Sequence, residues 1–201
     1  MKLYHFDHEG GFSAPDGSGP EAIRGFLVES LKDYLTVCGR DLPEPLERGA
    51  FPAMRKGPHG KPYFEEPGLE GVFFSLSHTR GHAIVCFSEG EIGADCENTE
   101  ARGEARLRYK RIADRCFSED EKGYADLGAP DGALRFFEIW TAKEAYMKYT
   151  GNGFSEGMRS FSVLDAQDVC IETGRLQAAQ HVVFSVCTAA GGEGLDGERR
   201  L

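Results

Sequence analysis

Three short apolar runs, Val72–Leu76, His82–Phe87 and Glu91–Glu97, follow one another with only a few residues between them. Gaps of that size hold turns and not helices, so the runs read as strands of a meander or of one sheet. What surrounds them has a different texture. Residues 1–8 alternate like an opening strand, and residues 9–20 form a Gly/Pro/Ser loop. From Glu21 to Val37 the apolar positions Ile23, Phe26, Leu27, Leu31, Tyr34 and Leu35 recur at helical spacing. Residues 39–71 are rich in Pro and Gly, give helix little support and carry a basic knot at 55–62. After Asn98 the pattern becomes helical: a basic stretch from Glu104 to Cys116, a capping box at Ser118-Glu119-Asp120-Glu121, and a long helix from an Asp131 cap to Tyr149, closed by Gly151 and Gly153. Strands are expected again at Arg159–Leu164 and His181–Thr188, and a frayed tail from Ala190 to Leu201. The order strand, helix, strands, helices, strands predicts an α+β fold. No internal sequence repeat is visible. The change of texture near Glu89–Glu91 divides the chain into an N-terminal half, 1–90, and a C-terminal half, 91–201.

Among 201 residues there are 33 acids and 23 bases, a net charge of −10, and 40% hydrophobic residues. That is enough apolar material for a core, and disorder is excluded as the dominant state. No uncharged apolar run reaches membrane-spanning length, and the start, with an acid and two histidines, is unlike a signal peptide. We therefore expect a cytoplasmic protein with no membrane partner. The acidic balance also speaks against nucleic acid, which usually meets a basic face. The six cysteines show no C-x-x-C pair and read as reduced, mostly buried thiols.

Four constellations could carry chemistry. In Ile92-Gly93-Ala94-Asp95-Cys96-Glu97 the two acids are two apart on a strand, so both carboxylates share a face. Such a pair repels unless a cation sits between them or one takes a proton, and oxygen donors suit Mg²⁺; the plainer reading is two solvated acids. In Trp140-Thr141-Ala142-Lys143-Glu144-Ala145-Tyr146-Met147-Lys148, residues 140, 144 and 148 stack on one helical stripe. An acid beside an amine suits proton transfer or metal binding near a phosphate, while the plainer reading is a surface Glu–Lys pair. Ser77-His78 closes an apolar strand where hydroxyl and imidazole could hold a phosphate. A Ser–His hydrolase is disfavoured there, because neighbours on a strand face opposite sides. The knot Arg55-Lys56-Gly57-Pro58-His59-Gly60-Lys61-Pro62 could reach phosphates, or be an exposed basic loop. His5, His8, His59 and His181 have no motif around them and read as structural or exposed.

In this order, Gly60-Lys61-Pro62, Phe74-Ser75-Leu76-Ser77-His78, the G-x-D-x-E strand and Trp140-Thr141-Ala142-Lys143-Glu144-Ala145 with Lys148 closely resemble the Sfp-type 4'-phosphopantetheinyl transferases. The resemblance runs from residue 55 to about 163 and includes Phe117-Ser118 and Phe161-Ser162-Val163. It implies two similar α/β halves, each a small sheet with a long helix, with coenzyme A in the cleft between them. It also implies transfer of phosphopantetheine from coenzyme A to a serine of an acyl or peptidyl carrier domain, with Mg²⁺ (or Mn²⁺) bound and 3',5'-ADP released. By position, Asp95, Glu97 and Glu144 would be the metal-binding acids. Lys61, Ser77 and His78, with Lys56 or Arg55, would hold the nucleotide's phosphates. Lys148 would sit at the pyrophosphate, and Glu144 is the candidate general base. Both halves of the cleft on one chain imply a monomer. The basic run Arg102, Arg106, Arg108, Lys110, Arg111 and Arg115 is a docking face for an acidic carrier or, equally, a solvated helix face. Between residues 9 and 54 no basic residue can be placed at the adenosine site. Two other functions stay in view: a metal-dependent hydrolase of the coenzyme A pyrophosphate, and a non-catalytic module that binds coenzyme A or a carrier.

Overall fold

The computed structural model describes residues 1–8, 18–100, 105–153, 157–192, 194–195 and 198–200. The chain runs β1 (Lys2–Asp7), α1 (Ser18–Val37), α2 (Glu44–Glu47), β2 (Met54–Lys56), β3 (Pro62–Phe64), β4 (Phe73–Thr79), β5 (His82–Ser88), β6 (Ile92–Asn98), α3 (Ala105–Cys116), α4 (Glu119–Ala125), α5 (Gly132–Thr150), β7 (Val169–Leu176), β8 (Ala179–Ala189) and β9 (Glu198–Arg200). The strands form sheets of order β4-β5-β1-β9 and β6-β8-β7, with β2-β3 a separate hairpin. This is an α+β fold, as expected.

One topology occurs twice. In β1-α1-β4-β5 and again in β6-α5-β7-β8, a strand is followed by a long helix and then a hairpin. The hairpin's second strand lies between its first strand and the opening strand. Each long helix covers its own sheet because each buries an apolar stripe. Phe26, Leu27, Leu31 and Leu35 of α1 join Tyr4, Val85 and Phe87, while Phe136, Phe137 and Ile139 of α5 share a core with Val183 of β8. Gly93 explains how close β6 comes to α5: a Cβ there would lie 1.9 Å from the carbonyl oxygen of Ala145. Any side chain would push the strand off the helix, so the glycine of G-x-D-x-E is a packing requirement.

The sheets meet where β4 runs beside β6. Ser75, Ser77 and Thr79 alternate along β4 and so present three hydroxyls to one side. Ser75 Oγ accepts from the Ala94 N–H at 2.8 Å, Ser77 Oγ donates to Asp95 at 2.7 Å, and Thr79 Oγ1 accepts from the Asn98 N–H at 3.1 Å. Side chains here do the work of a backbone ladder.

Several expectations are corrected. Residues 39–71, where helix had little support, do hold the four-residue α2, and beyond it the β2-β3 hairpin that carries the basic knot. No strand forms at 159–164; a 3₁₀ turn occupies Met158–Ser160, and the strand is Val169–Leu176 instead. The reason is that this backbone is already engaged by side chains. The Phe161 carbonyl accepts from Lys143 at 2.6 Å, and the Val163 N–H donates to Glu121 at 2.8 Å. The expected frayed tail contributes β9, which pairs in parallel with β1. Asp131 occupies the N-cap of α5 without a side-chain cap bond, because its carboxylate pairs with Arg135 at 2.8 Å. The Ser118 capping box and the Gly151 C-cap are present. All six cysteines are free thiols, with Cys86, Cys96 and Cys187 buried. Most of the expected 9–20 loop, together with Arg102 and Glu104, lies outside the described residues. Among the described residues no helix is long and apolar enough to cross a membrane.

Candidate active site

The strand β6 sends Asp95 and Glu97 to the face that α5 covers, and α5 answers with Trp140, Glu144 and Lys148 at four-residue steps. Asp95 is buried and accepts from two donors: Lys148 Nζ at 2.7 Å and Ser77 Oγ at 2.7 Å. Lys148 also donates to the Ala94 carbonyl at 2.9 Å. The plainer reading of a Glu144–Lys148 surface pair does not hold, since the lysine reaches across to the strand. Glu97 accepts from Thr79 Oγ1 at 3.3 Å.

Three carboxylates thus share one region with a single ammonium among them. Burial, and next the negative charge of Asp95, push the Glu97 carboxyl above its ordinary range. The same two causes, in the same order, raise Glu144 to about 7, with Lys148 pulling it back and Glu97 adding to the rise. Asp95 and Glu97 each turn to donors of their own; among the described residues, the group of three whose ligand atoms all lie within 4.8 Å of one another is instead His5, Asp7 and His82. Oxygen donors on two facing elements, carrying more negative charge than one lysine offsets, are a set suited to a hard divalent cation such as Mg²⁺.

Beside the acids opens a cleft of about 500 Å³, within the usual range for small-molecule sites. Ile23 and Leu27 of α1, Leu76 of β4, and Glu144, Met147 and Lys148 of α5 line it, and His59, Gly60 and Lys61 of the β2-β3 turn close one side. Both repeats of the topology contribute walls. Lys61 Nζ is held by Glu91 at 2.5 Å and by the carbonyls of Ile92 and Tyr149 at 3.1 and 3.0 Å. Its alkyl stem faces the cleft while its charge anchors the hairpin to the start of β6 and the end of α5. Arg55 stacks its guanidinium over Tyr63 at 4.7 Å, and Lys56 is exposed beside it. Ser77 faces β6, whereas the exposed His78 points to the other side of β4. That separation leaves no Ser–His pair. Desolvation first, and then Lys148, hold the His78 imidazole below its ordinary range, with Asp95 opposing.

Sequence reasoning missed Glu121 and Lys143. Both are fully buried and pair at 2.8 Å, with the Lys143 ammonium 4.0 Å from the centre of the Phe161 ring. The only local signals were the capping-box acid and a lysine inside an apolar helix. On α3, Arg108, Lys110 and Arg111 are exposed along with Leu107, while the side chain of Arg106 is outside the described residues. A concavity of about 410 Å³, lined by Leu107, Lys110 and Lys122, lies between α3 and α4.

Comparison with known proteins adds the family. A profile described as the 4'-phosphopantetheinyl transferase superfamily matches residues 91–190. The 4'-phosphopantetheinyl transferase AcpT of Salmonella typhimurium is 33% identical over 139 residues, covering 67% of this chain and 68% of that protein. The chain belongs to the 4'-phosphopantetheinyl transferase superfamily. Two Bacillus subtilis relatives, the 4'-phosphopantetheinyl transferase Sfp and another 4'-phosphopantetheinyl transferase, are 35% and 38% identical over 113 and 109 residues. Those matches cover 55% and 52% of this chain but only 46% and 44% of the relatives, so the chain spans less than half of their length. In this superfamily member the profile-matched segment holds β6, α5 and every acid of the cleft. Lys61, Ser77 and His78 lie before it.

Proposed function

We propose that this chain transfers the 4'-phosphopantetheinyl group of coenzyme A to a serine hydroxyl of an acidic acyl or peptidyl carrier domain. One observation carries this reading: Glu144 and Lys148 line a cleft closed on one side by the Lys61 hairpin, with Lys148 bonded to the buried Asp95 beside it, in a chain of this superfamily. In the reaction the serine oxygen forms a new P–O bond, the bridging P–O bond of the pyrophosphate breaks, and 3',5'-ADP leaves. Glu144 takes the serine proton on its carboxylate, directly or through a water. Lys148 places its ammonium beside the departing phosphate while keeping its hold on Asp95. His78 orients phosphate oxygens from the exposed side of β4, Ser77 reaches them by giving up its bond to Asp95, and Arg55, Lys56 and Lys61 supply positive charge from the hairpin. Asp95, Glu97 and Glu144 would hold Mg²⁺, with Mn²⁺ as an alternative; the ion's contribution is to neutralise charge on the pyrophosphate.

Arg106, Arg108, Lys110 and Arg111 of α3 form the docking face for the carrier, whose acids they steer by charge. The chain works as a cytoplasmic monomer, with its halves dividing near residue 90. Mass spectrometry of apo-carrier proteins incubated with this protein, coenzyme A and Mg²⁺ tests the reading. We expect one phosphopantetheinyl adduct on the carrier serine. Free phosphopantetheine produced without any carrier, and no adduct, would sink it.

A further inference from the structure

A second group of metal-ligating side chains lies away from the cleft acids. Leu3, His5 and Asp7 alternate onto the face of β1 that looks toward the β6-β8-β7 sheet, and on β5 His82 and Ile84 share that face. Asp7 and His82 are cross-strand partners, and His5 is the next residue on the same side. The apolar contact between the sheets, built by Leu3, Ile84, Val182 and Phe184, ends at this group. His181, at the start of β8, closes it from the second sheet.

The three inner atoms form a tight triangle. His5 Nε2 lies 2.8 Å from Asp7 Oδ1, His82 Nδ1 lies 2.7 Å from the same oxygen, and the two nitrogens are 3.2 Å apart. Ring protons cannot make all three edges good hydrogen bonds. If each nitrogen donates to Asp7, none is left between the nitrogens; if one nitrogen donates to the other, the acceptor nitrogen faces the carboxylate lone pair to lone pair. An ion coordinated by all three has no such conflict. With bonds of about 2.0–2.1 Å, tetrahedral ligand atoms sit about 3.3 Å apart, so the nitrogen–nitrogen edge already fits and the two edges to Asp7 need to open by about half an ångström. The surroundings fit as well. The other ring nitrogen of His82 meets His181 Nε2 at 3.1 Å, the kind of outer partner that fixes a metal-bound imidazole. His181 is itself held, since its carbonyl accepts from the Thr99 N–H at 2.7 Å and from the Thr99 hydroxyl at 2.8 Å. Access is one-sided: His5 is fully buried, while the side chains of His82 and Asp7 are 14% and 30% exposed.

We propose that His5 Nε2, Asp7 Oδ1 and His82 Nδ1 bind a divalent transition-metal ion of the Zn²⁺ class, with water in the fourth position and His181 as the outer partner that orients His82. Two imidazoles and a carboxylate select such an ion over Mg²⁺, which prefers oxygen throughout. Bound there, the ion fastens β1 to β5 and, through His181, the first sheet to the second.

The test is a Co²⁺ titration of the full chain in excess Mg²⁺, so that the carboxylate cleft does not compete. One equivalent should give the visible absorption of four-coordinate cobalt, and Zn²⁺ should abolish it. His82→Asn and Asp7→Asn should weaken binding at least 100-fold, and His181→Gln roughly 10- to 100-fold, whereas Glu97→Gln should bind as the parent does. Absence of the band, its persistence in His82→Asn, or its loss in Glu97→Gln overturns the proposal. Should those variants fail to fold, nitrogen-15 spectra of the unmodified protein still decide. Zn²⁺ must shift the His5 and His82 ring nitrogens, and shifts confined to His59 or His78 refute the site.

Discussion

Two groups of buried charge sit five residues apart on the same helix, and they are built on opposite principles. At Lys143, one ammonium meets one carboxylate, Glu121, and both are fully buried. Further partners surround the pair: Lys143 also donates to the Phe161 carbonyl, and Glu121 accepts from the N–H groups of Ser118 and Val163. At Lys148, one ammonium faces Asp95, Glu97 and Glu144, and the formal charge there, one positive against three negative, is −2 with every acid ionised. The first group is neutral and closed, so it holds α4, α5 and the 158–163 segment in place. The second group is unbalanced and opens on a cleft. Burial without balance is costly, and a fold that keeps such an imbalance keeps it for a cation or a proton to resolve.

The sharpest way to break the comparison is Glu144→Gln. This change removes an acid from the unbalanced group while preserving shape, and carrier modification should fall by about 10²- to 10⁴-fold, with an unchanged circular dichroism spectrum. Lys143→Met should do the reverse, lowering unfolding free energy by about 3–5 kcal/mol because Glu121 is left charged and buried. Urea titration measures this, and adding Glu121→Gln should recover most of the loss, since an amide oxygen can still accept from Ser118 or Val163. The same substitution at the other lysine, Lys148→Met, sharpens the contrast. Its side chain is 32% exposed but its partner Asp95 is buried, so the stability loss should be smaller than at Lys143, about 1–3 kcal/mol, while turnover drops by about 10²-fold. If Lys148→Met proved as destabilising as Lys143→Met, the distinction between the two groups would be wrong. The smallest effect is expected on α3: Arg108→Glu with Arg111→Glu should raise the carrier's KM roughly tenfold at low salt and leave coenzyme A affinity alone.

Much of the molecule is legible in its sequence. Strand runs at 72–97, the amphipathic α1 and the long α5 follow from hydrophobic period and from caps that act within a few residues. The two-residue step from Asp95 to Glu97 on a strand, and the four-residue step from Glu144 to Lys148 on a helix, put each pair of side chains on one face. Arg159–Leu164 shows where such reasoning fails. Its apolar alternation reads as a strand, but the buried Glu121 and Lys143 captured the backbone groups a ladder would need.

Local spacing by itself determined which elements form and which side chains share a face, because both depend on periods of two and 3.6 residues. Only the tertiary structure decided which faces meet. It turned Lys148 to Asp95 instead of Glu144, sent Lys143 inward to Glu121, and repeated one strand–helix–hairpin topology without a repeated sequence. It also gathered His5, Asp7, His82 and His181 from across the chain. Those outcomes rest on contacts between residues far apart in sequence, where packing and the need to pair buried charge choose the partner and no local pattern records the choice.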